Sequence, residues 1–289
     1  MLKQRVHEPT GKYLAEIGFG GIPIIQMGFD EAVEVVSYAL DKGIEYLDTA
    51  RAYGDSEAKI GAAIEGRRGR VVLATKTMAR DYDGAMRELQ ESLTALNTNY
   101  LDLWQLHDIS TPERFSMVTA ANGAMAAFRR MKDQGVVRHL GVTGHDNATL
   151  LKCIRLEEFS SVLATYNLAI HDAELEVIPE ARKRDMAFIA MKPLSGGMFF
   201  RDADHAVSPL HAWWFVLANK NINVALAGAN CKRDIDQALE ASNTFRKLTE
   251  EELKEALDRA TWMGETICRN CGYCRDCPEG LDVDRKSVV

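Results

Sequence analysis

No apolar run in this 289-residue chain is long enough to cross a bilayer; the longest mostly apolar stretch, 210–218, falls well short of the ~20 residues a spanning helix needs. The N-terminus, MLKQRVHEPTGKY, lacks the apolar core of a secretory signal, so the expected location is the cytoplasm, with no membrane partner. Clustered positive charge is missing as well. Lys and Arg total 35 against 42 Asp and Glu, and a net charge of −7 without a basic block argues against nucleic acid, whose phosphates demand such clusters. Cysteines are few and uneven: four of the six fall between 268 and 277, which is not how a disulfide framework is spread along a chain. No low-complexity tract or linker interrupts 16–240. With 46% hydrophobic and 27% charged residues, general disorder is excluded and a sizeable core is available.

What is present is alternation. Short apolar segments at 16–20, 44–48, 71–76, 101–107, 137–143, 161–165, 187–191 and 224–227 are separated by amphipathic ones, the pattern of repeated βα units around a parallel sheet. Eight such segments, in a length close to the ~250 residues usual for the fold, predict an α/β TIM (β/α)8 barrel. The helix at 31–42 is expected to start after a capping Asp30, to place Ala32, Val36, Ala39 and Leu40 on one face, and to stop at Gly43. Helices at 84–96 and 234–241 follow the same grammar. The turn Glu8-Pro9-Thr10-Gly11 predicts an N-terminal hairpin within 3–15 that plugs the barrel floor. Thr249 and Glu252 form a capping box that opens a last helix before a Cys-rich tail. The expected division is a barrel over 1–245 and a C-terminal helix and tail over 246–289.

In a βα barrel the reacting groups sit where strands run out at the C-terminal face. Three successive strands supply polar residues there. GIEYLD ends in Asp48 with Tyr53 five residues on, VVLATK ends in Lys76, and LDLWQLH ends in His107. These types suit proton transfer to a carbonyl oxygen. A tyrosine loses its proton near pH ~10, so as a general acid near neutrality it is expected to need a cation such as Lys76 to lower that value. Asp48 would hold Lys76 in place and His107 would polarise the carbonyl with a hydrogen bond. No side chain delivers a hydride, and a nicotinamide is the usual source. Taken singly, each has an ordinary structural reading: a helix cap for Asp48, a solvated strand end for Lys76, a core histidine for His107 and packing for Tyr53. Their joint placement is what argues for chemistry.

The segments EIGFGG, GIEYLDTARAYGDSE, VVLATK, YLDLWQLHD and MKPLSGG together resemble the aldo-keto reductase family over about residues 13–245. That resemblance implies an NADPH-dependent carbonyl reductase with a tetrad at Asp48, Tyr53, Lys76 and His107. It also implies nucleotide contacts at Gly20, Gly21, Asp48 and Thr143, at Lys192, Pro193, Leu194, Gly196 and Gly197, and at Gly228, Ala229 and Asn230. Glycines suit such places because the backbone can approach a pyrophosphate closely. Several positions depart from the family pattern. Thr143-Gly144 stands where many members have Ser-Asn, Leu163 replaces an amide-binding Gln, and Met191 replaces a stacking aromatic. Asp234 stands where some members use an Arg for the 2′-phosphate, leaving Lys232 and Arg233 as the nearby cations, so NAD(H) stays open beside NADP(H).

Cys268, Cys271, Cys274 and Cys277 form C-x2-C-x2-C-x2-C followed by Pro278. Four thiolates so close together can wrap one inorganic core, and CRNCGYCRDCPEG resembles the tail of an aldo-keto reductase subgroup described as carrying a four-iron four-sulfur (4Fe-4S) cluster. Tetrahedral zinc is the alternative occupant. Such a tail is expected to staple the chain across the barrel mouth, or to pass electrons to a partner. The expected function is interconversion of a small-molecule carbonyl and alcohol, with Tyr53 as general acid/base. The alternative is a nucleotide-binding, redox-responsive regulatory protein with little turnover. Pocket walls are expected from 109–123, 198–207 and the tail.

Overall fold

Two apolar clusters, one inside the barrel and one around it, follow from the period-2 alternation of its short strands. The structure, a computed structural model, describes residues 3–200 and 206–264. A hairpin of β1 (Gln4–His7) and β2 (Lys12–Ala15) precedes eight parallel strands: β3 (Ile17–Gly20), β4 (Tyr46–Asp48), β5 (Val72–Thr77), β6 (Leu101–Leu106), β7 (Val137–Gly144), β8 (Ser161–Thr165), β9 (Ala187–Met191) and β10 (Val224–Gly228). They close in sequence order, β10 pairing with β3, as a TIM barrel. Around it lie α1 (Phe29–Asp41), α2 (Ser56–Ala63), α3 (Tyr82–Ala95), α4 (Pro112–Thr119), α5 (Ala124–Asp133), α6 (Asn147–Ile154), α7 (Val177–Arg182), α8 (Pro209–Ala218) and α9 (Lys232–Asn243), with α10 (Glu250–Gly264) last.

Inside the barrel, Tyr46, Val72, Ala74, Leu103, Leu163, Ile189, Val224 and Leu226 pack with Leu14 of the hairpin. Their strand neighbours Leu47, Leu73, Trp104, Val162 and Phe188 face the helices instead. Trp104 stacks on Phe128 at 3.9 Å and pins α5 to β6, while Trp214 Nε1 donates to Ala241 O at 3.0 Å and joins α8 to α9. Trp213 and Trp214 both belong to the apolar layer around the barrel. At the other end of α10, Ala256 and Ala260 pack with Phe199, Val207 and Ala212 on the C-terminal side of β9.

The predicted helices are present with shifted ends. Helix α1 begins two residues earlier than expected, with Gly28 at the N-cap and no side-chain cap, and Asp30 lies inside the first turn. There its carboxylate still opposes the positive end of the helix dipole. The capping box is formed: Thr249 N–H donates to Glu252 Oε2 at 2.9 Å and Glu252 N–H to Thr249 Oγ1 at 3.2 Å. The four tail cysteines lie outside the described residues.

The hairpin closes the floor through one guanidinium. Arg5 pairs with Glu16 at 2.8 Å and donates to the carbonyls of Leu217 at 2.6 Å and Asn219 at 2.8 Å, while Glu16 also accepts from Ser242 at 2.8 Å. Removing one partner strands a nearly buried charge. Arg5→Met is therefore expected to cost about 3–5 kcal/mol. Urea unfolding measures this, and a loss below ~1 kcal/mol would show that the guanidinium is dispensable.

Candidate active site

Parallel register brings the polar strand ends together. Asp48 pairs in register with Gly20 and Ala74, and Lys76 with Gln105, so each of these side chains emerges at the same end of the barrel. Asp48 and Lys76 are almost wholly buried, at 3% and 1% exposure. Lys76 Nζ forms an ion pair with Asp48 Oδ1 and donates to Thr49 O at 2.7 Å. The second carboxylate oxygen accepts from Gln105 Nε2 at 2.9 Å. Every oxygen of the buried carboxylate thus has a donor, as burial of a charge requires.

Tyr53 stands over this pair. The Lys76 ammonium lies 4.9 Å from its ring centroid, and the His107 ring meets the Tyr53 ring edge-on at 5.5 Å and 81°. Local bonds hold the 49–57 loop in place. Glu57, fully buried, pairs with Arg51 and accepts from Thr75 Oγ1 at 2.6 Å, and Arg51 N–H donates to Lys76 O at 3.0 Å. Ser56 Oγ donates to Gly21 O at 2.8 Å. A Cβ on Gly21 would fall 2.7 Å from that Oγ and 2.9 Å from Asp48 O, so close packing alone explains this glycine.

Burial sets the proton affinities, and the charges modify them. For Lys76, burial favours the neutral amine, but Asp48 and Tyr53 outweigh it and raise the ammonium above its usual value. Burial also pushes Asp48 up, against the pull of Lys76 and Gln105. Tyr53 corrects the expectation from sequence: Lys76 does draw its pKa down, yet burial and the Asp48 charge raise it above the ordinary phenol. At neutral pH the hydroxyl therefore keeps its proton and can give it. His107 is held neutral, lowered to about 3 by burial and by Lys76, Arg80 and His145, with Asp108 opposing.

The expected nucleotide contacts gather at the same end. Gly20 ends β3 with Gly21 just beyond it, Thr143 lies next to the end of β7, Lys192, Pro193, Leu194, Gly196 and Gly197 follow β9, and Gly228 ends β10 with Asn230 two residues on. Lys192, Ser195, Gly196 and Gly197 all have left-handed φ, of 57°, 50°, 62° and 82°. Asn230 N–H donates to Asp234 Oδ2 at 3.1 Å, which accounts for Asp234 as a loop cap. Lys232 faces Glu34 at 3.3 Å, whereas Arg233 is exposed with no ion pair among the described residues. Leu163 joins the apolar barrel interior, and no polar group replaces the Gln there. Among the described residues no group of His, Cys, Asp and Glu can hold a metal ion, and no helix is long and apolar enough to cross a membrane.

Sequence reasoning missed Gln105, Arg80 and the Asp108–Arg114 pair. Gln105 was findable, because it lies two residues before His107 and in register with Lys76. His145, in the turn between β7 and α6, lies beside the site, with Nδ1 3.4 Å from Thr165 Oγ1. Its neighbour Asp146 is the α6 cap, accepting from Thr149 N–H at 2.7 Å.

With this geometry established, the sequence model of the Aldo/keto reductase family matches residues 16–258, and the chain belongs to that family of oxidoreductases. It is 25% identical to the uncharacterized oxidoreductase YqkF of Bacillus subtilis (strain 168) over 289 residues, 83% of this chain and 91% of that protein. It is 30% identical to the aldo-keto reductase YhdN of the same organism over 209 residues, covering 65% of this chain and 61% of that relative. The chain thus spans less than two thirds of some curated relatives. A solved structure, an aldo-keto reductase from Klebsiella pneumoniae in complex with NADPH, shares the fold at TM-score 0.73 and 24% identity, covering 90% of this chain and 95% of that one.

Three histidines are held in neutral form, His107 lowered to about 3 and His7 and His145 to about 4, each chiefly by loss of water around the ring. The unfolded chain takes up these protons near 6.5, so stability falls as pH drops from 6.5 toward about 4, by up to ~1.4 kcal/mol per pH unit for each group. His7→Gln is expected to flatten the acid limb of Tm against pH. A limb identical to that of the unaltered chain would refute the assignment.

Proposed function

We propose that the chain interconverts a carbonyl compound and its alcohol with NADP(H), Tyr53 giving and taking the proton. The observation that carries the reading is the convergence of Tyr53, His107 and the buried Lys76–Asp48 pair. The nicotinamide, when bound, supplies the hydride. The Tyr53 hydroxyl protonates the carbonyl oxygen during reduction, and the adjacent ammonium of Lys76 stabilises the phenolate left behind. His107, neutral and half-buried, donates to the same oxygen and orients it. Asp48 keeps Lys76 charged and in place. A complete set of this kind favours turnover over the regulatory alternative.

The residues present fit a dinucleotide. A Cβ on Gly197 would meet nothing within 4 Å, so the turn after β9 leaves open space, whereas one on Gly20 would touch Ala227 O at 3.5 Å without a clash. The turn at 192–197, with left-handed φ at Lys192, Ser195, Gly196 and Gly197, is closed by Ser195 N–H to Lys192 O and Gly197 N–H to Leu194 O, both at 2.9 Å, and lets the backbone approach a ligand closely. Gly20, Gly21, Asp48, Thr143, Lys192, Pro193, Leu194, Gly196, Gly228 and Asn230 are the residues that would hold the dinucleotide. The relative solved with NADPH supports NADP(H), and Arg233 is the exposed cation available to a 2′-phosphate; NAD(H) is the competing cofactor.

The division proposed is a catalytic barrel over 1–245 and an appended unit over 246–289, in which Cys268, Cys271, Cys274 and Cys277 hold a 4Fe-4S cluster as in the subgroup they resemble. Four thiolates satisfy zinc as well; the resemblance of CRNCGYCRDCPEG to that subgroup is what supports iron–sulfur, and a cluster would admit an electron-transfer partner.

Tyr53→Phe is expected to lower kcat by about 10³-fold or more across a panel of aldehydes and ketones, with NADPH affinity by fluorescence unchanged. Retained turnover would remove Tyr53 from the chemistry. Anaerobic purification followed by iron, sulfide and zinc analysis is expected to return iron and sulfide in equal amounts; zinc alone would reverse the tail assignment.

A further inference from the structure

The chain leaves strand β6 abruptly. His107 is the first residue past its end, and Asp108 beside it adopts a left-handed φ of 55°, a conformation that a non-glycine residue holds only when its surroundings enforce it. The enforcing groups are on two neighbouring loops and on α4. Arg80, in the loop after β5, donates through Nη2 to His107 O at 2.7 Å. Arg114, in the first turn of α4, donates to Asp108 O at 3.0 Å and pairs with the Asp108 carboxylate. Ser110 Oγ donates to the same carboxylate and accepts from His145 N–H at 2.8 Å. On the other side, His107 N–H donates to Thr77 O at 3.0 Å and Asp108 N–H to Thr143 Oγ1 at 3.0 Å. Both main-chain polar groups of His107 are therefore held, while its imidazole Nδ1 is buried without a hydrogen-bond partner. Nothing bonded to the ring fixes its direction; the backbone clamp and the Tyr53 edge contact are what remain.

We infer that Arg80, backed by the Asp108–Arg114 pair, is a positioning residue that aims the His107 imidazole at the substrate oxygen beside Tyr53. This rests on the tetrad reading above. Arg80 suits the task because its guanidinium spans from the Lys76 strand to the end of the His107 strand, tying together the two residues that must share one substrate. Its own main chain is anchored, since Arg80 O accepts from Ala124 N–H at 3.0 Å at the start of α5. The charge has a second effect. The groups around the imidazole are Tyr53, Lys76, Arg80, Asp108 and His145, and of these Lys76, Arg80 and His145 oppose its protonation while Asp108 favours it. A neutral donor at the carbonyl oxygen is what this balance preserves.

The test uses the full chain with NADPH and the carbonyl panel applied to Tyr53→Phe. Arg80→Met is expected to reduce kcat about ten- to a hundredfold, the scale of a roughly 1 Å misplacement, with NADPH affinity unchanged. Arg80→Gln keeps an N–H donor for His107 O and is expected to restore most of kcat, which loss of bulk packing alone would not predict. The acid limb of kcat/KM moves to higher pH in both variants, because each lacks the cation. A crystal structure of Arg80→Met is expected to show the His107 ring displaced from its 5.5 Å edge contact with Tyr53. An unchanged kcat in folded Arg80→Met, or survival of that contact, overturns the inference, and the crystallographic readout decides even without turnover. If Tyr53→Phe is inactive while Arg80→Met is normal, only the positioning role fails. If Tyr53→Phe stays active, the tetrad reading itself fails.

Discussion

The ion pair between Lys76 and Asp48 is the constraint around which the mouth of the barrel is built. Two opposite charges removed from water are tolerable only when their geometry is good and every remaining donor and acceptor is satisfied. Here the ammonium finds Asp48 and Thr49 O, and the carboxylate finds Lys76 and Gln105. Those partners come from β4, β5 and β6, so the register of three parallel strands is tied to one electrostatic arrangement. A one-residue slip in any of them would turn its inward side chain to the helix layer and leave a charge alone.

The loop between β4 and α2 extends that constraint to Tyr53. Glu57, buried and bound to Arg51 and Thr75, fixes the far end of the loop, and Ser56 fixes its middle to Gly21. The string from Asp48 to Glu57 is therefore one mechanical unit, which explains why so many of its positions carry information. Its product is a tyrosine enclosed enough to retain its proton at neutral pH and held beside the Lys76 cation.

On the opposite side the problem is solved by the main chain. His107 has no side-chain partner to orient it, and its neutral state follows from burial among cations. The polar cluster of Arg80, Asp108, Ser110 and Arg114 holds the strand end rigidly, while the turn after β9 leaves open space at Gly197.

The barrel, its strand order and the meeting of Asp48, Tyr53, Lys76 and His107 at its mouth were legible in the amino-acid sequence because they rest on local signals: period-2 apolar segments, turn residues, and polar side chains just beyond strand ends. Strand limits moved by only a residue or two, and α1 began at Phe29 because a glycine N-cap leaves no side-chain signature. The rest needed three dimensions. Strand alternation places Gln105 on the face of His107, but nothing in sequence shows its bond to Asp48, 57 positions away, and no spacing rule links Arg80 to His107, 27 positions on. The direction of the Tyr53 shift likewise depended on how deeply the ring is enclosed, since burial competes with the Lys76 charge and wins. Sequence determined which chemical groups arrive at the mouth, because strand alternation is a property of the covalent chain. Tertiary structure decided their proton affinities and orientation, because those depend on exclusion of water and on partners supplied by distant segments.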